Sequence, residues 1–404
     1  MPAHPIDNRQ VRSGWWGTVI LFLVHGLVVS TWVSRIPAIQ SKLHLPNGVL
    51  GLTLLSSAVG AVTSIPITGW LVNRYGSKRL SILSAIPFCL SLVLLGAAFN
   101  AWTLSLALFV FGVVSAAMDV SMNAQGVDVE KHLGSPTMSR FHGMFSLGGM
   151  IGAAIGGLLA GRGINPLPHF TSSAMLNLLG VWLAAPLLLD THGRVIATEH
   201  RLPWNKIPPV LFALSAIGFC CLLSEGAMGD WTAVYLKQVL HAGAGTAAAG
   251  YAVFSASMAI FRFLGDIITA RLGPLRTVRT ASLVAAVGLL WALSVHLPNW
   301  ALPGFAAAGA GFSVIIPLVF GSGGRVPSVS PGAGIATVTG IGYLGFIVGP
   351  PTIGFASQLF TLRYALGIVV FCCLVSAVLA TSMRLLDPQP AAPDSATYSL
   401  DPHF

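Results

Sequence analysis

Long apolar runs alternate with short polar turns along this chain, and that alternation sets the elements it predicts. A helix needs roughly 20 mostly apolar residues to cross a bilayer. Twelve stretches qualify: 15–36, 48–71, 80–98, 102–126, 139–161, 170–189, 207–235, 246–269, 279–296, 300–321, 333–356 and 363–385. Several are rich in Gly and Ala, notably GGMIGAAIGG over 148–157, and small-residue faces let helix backbones approach closely in lipid. The longest polar connection, 190–206, carries Asp190, Arg194, Glu199, Arg201 and Lys206 and reads as the joint between two halves. The expected organisation is a tail over 1–14, a six-helix bundle over 15–189, the linker 190–206, a second six-helix bundle over 207–385, and a tail over 386–404. That last stretch is rich in Pro, Ala and Asp, the composition of a disordered segment.

Composition makes lipid the solvent. Of 404 residues, 54% are hydrophobic and only 8% charged, where a soluble globular chain has about 25% charged residues. A net charge of +9 raises the question of nucleic acid, but the basic residues fall singly in turns and form no continuous patch. They act instead as an orientation signal. With the N-terminus inside, one side receives Arg9, Arg12, Arg74, Lys78, Arg79, Lys131, Arg140, Arg194, Arg201, Lys206, Arg271, Arg276, Arg279, Arg325 and Arg384. The other receives Arg35, Lys42, Arg162, Lys237 and Arg363. This bias predicts that both termini are cytoplasmic, which an even number of spans requires. Arg9 and Arg12 before the first apolar run imitate a signal peptide, but the run lacks a small-residue cleavage site and reads as an uncleaved helix. The five cysteines all lie within apolar runs, without metal-type spacing, and are expected to be buried thiols.

A turn between the second and third spans, GWLVNRYGSKR over 69–79, returns in weaker form as GDIITARLGPLR over 265–276. Arg74 maps onto Arg271, Gly76 onto Gly273, Arg79 onto Arg276, Gly148 onto Gly345 and Gly152 onto Gly349, all 197 positions apart. One register kept by several glycines and arginines points to a duplicated unit, a design that membrane transporters use.

The pattern G-x-x-x-(D/N)-R-x-G-x-(K/R)-(K/R) in that turn resembles the loop signature of the major facilitator superfamily. Further stretches resemble its bacterial YbjJ/MosC branch, which is related to the fucose permeases: WVSRIP over 32–37, MDVSMNAQG over 118–126, MSRFHGMFSLGG over 138–149, EGAMGDW over 225–231 and GYLGFIVGPP over 342–351. The resemblance covers essentially the whole chain. It implies an all-α integral membrane protein with twelve transmembrane helices in two six-helix bundles, and transport by alternating access.

Nothing in the chain resembles an enzyme, and no cofactor or metal is expected. Glycine-rich strings such as GSGG over 321–324 lack the Lys-Ser/Thr of a phosphate loop. The energy source left is an ion gradient, whose coupling would reside in ionisable residues inside the spans. Asp119 in the fourth span leads: an isolated carboxylate there must face a cavity, find a partner or take up a proton. The fucose permeases also carry an acid in the fourth span, so the resemblance points to the same place. His142 opens the fifth span near Arg140 and is placed to form a proton relay or a substrate pair with Asp119; the alternative is that Arg140 and His142 line the cytoplasmic interface, paired with Asp128 or Glu130. Glu225 lies mid-span in the seventh, followed by Asp230 and Trp231; an acid beside an indole suits a sugar or polyol, although Trp231 also fits an interfacial belt. His25-Gly26 and Glu225-Gly226 stand in corresponding places, 200 positions apart, as two walls of one cavity. Trp32 and Asn123 join the expected cavity, Gln125 extends the Asp119 helix, and structural roles fit Asn123 and Gln125 equally. The fucose permeases carry an acid in the first span; this chain has none.

Arg74, Lys78, Arg79, Asp266 and Arg271 are expected at a cytoplasmic gate. Asn73 stands where the superfamily pattern usually has Asp, and Arg262, one turn before Asp266, is placed to pair with it. Drug–proton exchangers of the superfamily often carry Gly-Pro in a glycine-rich fifth span; here that span has no proline, and Pro350 and Pro351 stand in the eleventh. The leading expectation is therefore proton-coupled transport of a small polar solute (sugar, polyol or amino-sugar-like) by a monomer in a bacterial inner membrane. Efflux of drugs or toxic metabolites is the alternative, and a non-transporting membrane sensor a third.

Overall fold

The structure, a computed structural model, describes residues 7–135, 137–190, 207–327 and 329–386. Fourteen α-helices form and no strand is present among the described residues. In chain order they are α1 (Asn8–Val33), α2 (Ile36–Lys42), α3 (Asn47–Tyr75), α4 (Ser77–Ala97), α5 (Ala101–Leu133), α6 (Met138–Gly161), α7 (Pro166–Ala184), α8 (Pro209–Gln238), α9 (Ala244–Leu272), α10 (Pro274–Ser294), α11 (Pro298–Gly323), α12 (Pro331–Leu359), α13 (Leu362–Ala365) and α14 (Gly367–Leu379). Helix is the only local solution in lipid, where every backbone polar group must be satisfied within its own segment. Eleven segments among the described residues are long and apolar enough to cross a membrane. The remaining predicted span is α7, whose 19 residues are diluted by His169, Thr171, Ser172, Ser173 and Asn177. Large apolar side chains such as Trp102, Leu106, Trp182 and Val287 stay exposed on the outer surface, as an acyl-chain solvent allows.

The duplicated register is written into the packing. Helix α5 packs on α3 and α11 on α9; α6 packs on α1 and α12 on α8. A methyl group on Gly112 of α5 would overlap the carbonyl oxygen of Ser57, and one on Gly309 of α11 would overlap that of Phe254. Both glycines and both carbonyls stand 197 positions apart. The turns agree. Gly76 and Gly273 adopt φ of 84° and 76°, where a side chain is strained, and their amides close on Val72 and Thr269. His44 and His241 take φ of 50° and 52° at equivalent turns. Equivalent helix ends are even capped by unlike means. Lys42 Nζ donates to the carbonyls of Gly96 and Ala98 at the end of α4, while Arg363 donates to those of Leu293 and Val295 at the end of α10.

Across the halves, α6 lies on α9 and α12 on α3, a reciprocal pairing. At one end the contact is tight and neutral: Gly51 meets the Pro350 carbonyl, Gly157 meets Gly245, and Gln238 Nε2 donates to Gln40 Oε1 at 3.0 Å. Several boundaries differ from expectation. Helix α1 begins at Asn8, inside the predicted tail 1–14, because Asp7 and Gln10 close its first turn. Helix α5 runs seven residues past its predicted end at 126, carrying Asp128, Glu130 and Lys131 beyond the apolar stretch. The predicted linker 190–206 and tail 386–404 lie outside the described residues except at their first positions.

Candidate functional site

A cavity of about 920 Å³ runs between the halves. Its blind end is walled by Trp32, Leu54, Asp230, Tyr251 and Pro350, next to the tight Gln40–Gln238 contact. From there it extends past Met138, Ser139, Asp266, Thr269 and Phe320, toward the end where the Arg74 and Arg271 turns lie. Pro317 lies inside α11 and Pro350 inside α12, and both line the cavity. A proline inside a membrane helix frees a backbone carbonyl, which neighbouring groups or a cavity can serve.

Most of the expected residues meet there. His25, Trp32, Asp119, Asn123, His142, Glu225, Asp230 and Asp266 all line this one space. Asp119 accepts a hydrogen bond from Asn123 Nδ2 at 3.1 Å, one turn later on α5. His25 Nε2 lies 3.0 Å from Ser115 Oγ of α5, and its other ring nitrogen is buried without a partner among the described residues. His142 stands edge-on to Phe22, with centroids 5.3 Å apart, and no hydrogen bond joins it to Asp119 among the described residues. The two halves nonetheless present their ionisable groups to the same space.

Arg262 is the polar hub. Its Nη1 donates to Ser146 Oγ of α6 at 2.9 Å, and its Nη2 lies 3.4 Å from Glu225 Oε1 of α8. One side chain of α9 therefore ties α8 to the opposite half. The expected Arg262–Asp266 pair does not form: the guanidinium points into the cavity, where Glu225 and Ser146 bind it, while Asp266 lies exposed at the mouth. Three further expectations need correction. Trp231 does not line the cavity and is no belt residue either. It is 0% exposed in the C-terminal core, with its Nε1 unpartnered among the described residues, because it sits about 100° around the helix from Asp230. Glu130 does not pair with Arg140 or His142; its Oε2 accepts from the amides of Thr137 and Met138 and caps the start of α6. Glu225 is not the exact counterpart of His25: in the 197 register it matches Val28, about one turn further along.

The gate residues stand outside the cavity except for Asp266. The Arg74 guanidinium rests on the rings of Trp70 and Tyr75, 5.4 and 5.6 Å from their centroids. Arg79 and Arg271 are exposed and Lys78 half-buried, while the Asn73 side-chain oxygen is buried with no partner among the described residues. Gln125 is structural: its amide donates to Ser77 Oγ and the Leu189 carbonyl and accepts from the Leu189 amide, pinning the end of the first half to α5. Sequence reasoning missed Ser115, Ser146 and Tyr251, whose roles depend on inter-helix distance. Tyr343 and Phe346 also line the cavity; they lay inside a stretch already singled out, and their i, i+3 spacing was the available signal.

Comparison with known proteins places the site in context. The model of the Major Facilitator Superfamily matches residues 18–329. The chain is 34% identical over 378 residues to the uncharacterized transporter y4wD of Sinorhizobium fredii, covering 93% of this chain and 100% of that one. It is 31% identical over 367 residues to the membrane protein MosC of Rhizobium meliloti, covering 88% of each. Among solved structures, the E. coli fucose:proton symporter FucP superposes with a TM-score of 0.63 at 15% identity, covering 92% of this chain and 99% of that one. The extent of the family match, the full-length relatives and the twelve-span fold leave one assignment: this chain is a transporter of the Major Facilitator Superfamily.

Proposed function

We propose that the protein is a secondary active transporter that moves a small polar solute, sugar, polyol or amino-sugar-like, by alternating access coupled to protons. One observation carries this reading: carboxylates from both halves, Asp119 on α5 and Glu225 and Asp230 on α8, line one cavity beside the Gln40–Gln238 contact between the halves. A carboxylate at membrane depth is costly and is retained where it binds ions, protons or solute. Hydrogen-bonding partners are on hand in the Asn123 amide and the Ser115 and Tyr251 hydroxyls, and aromatic rings at Phe145 and Phe346 offer faces for the C–H side of a sugar. The similarity to a fucose:proton symporter supports the same class. In this reading the residues 15–189 and 207–385 rock as two bundles, the termini are cytoplasmic, and the cavity faces inward, with His25 and His142 passing protons near Asp119. The gate turns around Arg74, Lys78, Arg79 and Arg271 close the cytoplasmic end in the opposite state. The protein works as a monomer in the bacterial inner membrane.

The test is solute-driven proton movement in proteoliposomes, with a panel of sugars, polyols and amino sugars. A transported member should alkalinise the medium as it enters, and an imposed proton gradient should drive its accumulation. Uptake indifferent to the gradient would contradict proton coupling. A second reading, efflux of amphipathic compounds, draws on the largely apolar lining from Phe111, Phe145, Ile316, Leu318 and Phe346; it predicts protection against structurally unrelated drugs and no polyol flux.

A further inference from the structure

The charges in the cavity do not balance. Four carboxylates line it, those of Asp119, Glu225, Asp230 and Asp266, against the single guanidinium of Arg262. That guanidinium is already committed to Glu225 at 3.4 Å and to Ser146. Asp119 receives only the neutral Asn123 amide, and Asp230 has no hydrogen-bond partner among the described residues. No lysine lines the space, and the two histidines, His25 and His142, face a serine hydroxyl and a phenyl ring instead of a carboxylate. A cleft of one sign with low-dielectric walls concentrates ions of the opposite sign and excludes its own.

The surroundings of Asp230 sharpen this. It sits at the blind end beside Gly229, where the Tyr251 ring comes within 3.9 Å of a methyl placed on that glycine. Trp32 and Tyr251 both border the same end. A carboxylate in a space shared with aromatic rings suits an ammonium group, through an ion pair combined with cation–π attraction.

We propose that the transported solute carries a protonated amine, seated at the blind end against Asp230 between Trp32 and Tyr251, and that the cavity rejects anionic solutes. The proposal rests on the transporter reading above and narrows its substrate class. An amine there makes the second carboxylate, Asp119, available for the proton.

Two measurements test it. The first needs no knowledge of the solute. All five native cysteines are buried, so Ala61→Cys provides one reactive thiol on the cavity wall. A trimethylammonium thiosulfonate should label it about tenfold faster than the sulfonate analogue, relative to a free thiol. Asp230→Asn should cut that preference several-fold, and so should Asp119→Asn. Equal labelling rates, as neutral protonated carboxyls would give, overturn the proposal. The second compares matched solutes by thermal shift of the purified protein: glucose, glucosamine and glucuronate, then sorbitol, glucamine and gluconate. Stabilisation confined to the amines and lost in Asp230→Asn supports the proposal. A neutral or acidic member that stabilises as well as its amine overturns it, and so does the absence of any amine-dependent shift. Neither outcome touches proton-driven flux, so the transporter reading stands or falls separately.

Discussion

Arg262 shows how one side chain can set the character of a membrane cavity. A guanidinium is always charged and presents a fixed fork of donors; here the fork spans Glu225 on its own half and Ser146 on the other. Removing it leaves Glu225 without its charged partner among the described residues, and breaking one side of a charged hydrogen bond costs about 1.5–3 kcal/mol. Arg262→Gln should therefore lower the melting temperature of the detergent-solubilised protein, and Arg262→Gln combined with Glu225→Gln should recover part of that loss. A double variant as unstable as the sum of the single ones would mean the pair is not coupled. The sequence made the ionisable residues legible because charge inside an apolar run is rare and expensive; Asp119, Glu225 and Asp230 stood out on that ground alone. It did not disclose partners. Arg262 was assigned to Asp266 by helical spacing, and only the crossing of α6, α8 and α9 shows that Glu225 and Ser146 lie closer to its fork. Trp231 failed for a related reason: the span is apolar all round, with no polar face to reveal which side meets the cavity.

At the scale of helices, the fold was largely legible. Eleven of the twelve predicted spans meet length and hydropathy criteria among the described residues, and the 197-residue register, first seen in a few glycines and arginines, recurs in backbone contacts. Boundaries were less so, because apolar content marks the bilayer and says nothing of how far a helix continues into water, as α5 does. Close approach between helices is the main packing device, since lipid provides no hydrophobic drive for association. Gly112→Ala should force α5 from α3, and Gly309→Ala should force α11 from α9, each at a cost of about 1–3 kcal/mol by overpacking. Gly69→Ala, where a methyl group meets nothing within 4 Å, is the control. Thermal unfolding in one detergent measures all three; equal melting temperatures would mean the helix pairs are looser than described.

For the whole molecule, the distribution of contacts defines a state. One end is sealed by small residues and a neutral Gln40–Gln238 hydrogen bond, and the cavity runs toward the end that holds the basic turns. In the orientation proposed from the positive-inside rule that end is cytoplasmic, and the state described would then release an imported solute or accept an exported one. The α6–α9 and α3–α12 contacts are related by the repeat, so in the proposed alternating-access cycle the opposite state would be reached by rocking of the halves without refolding. The central claim is that Asp119 links this movement to protons. The most direct measurement compares wild type with Asp119→Asn in proteoliposomes for any solute the panel identifies, recording gradient-driven accumulation and solute–solute exchange side by side. The account predicts that the variant loses accumulation while exchange continues, because the cavity still binds and rocks but no longer carries the proton. Accumulation at the wild-type level in Asp119→Asn would contradict it.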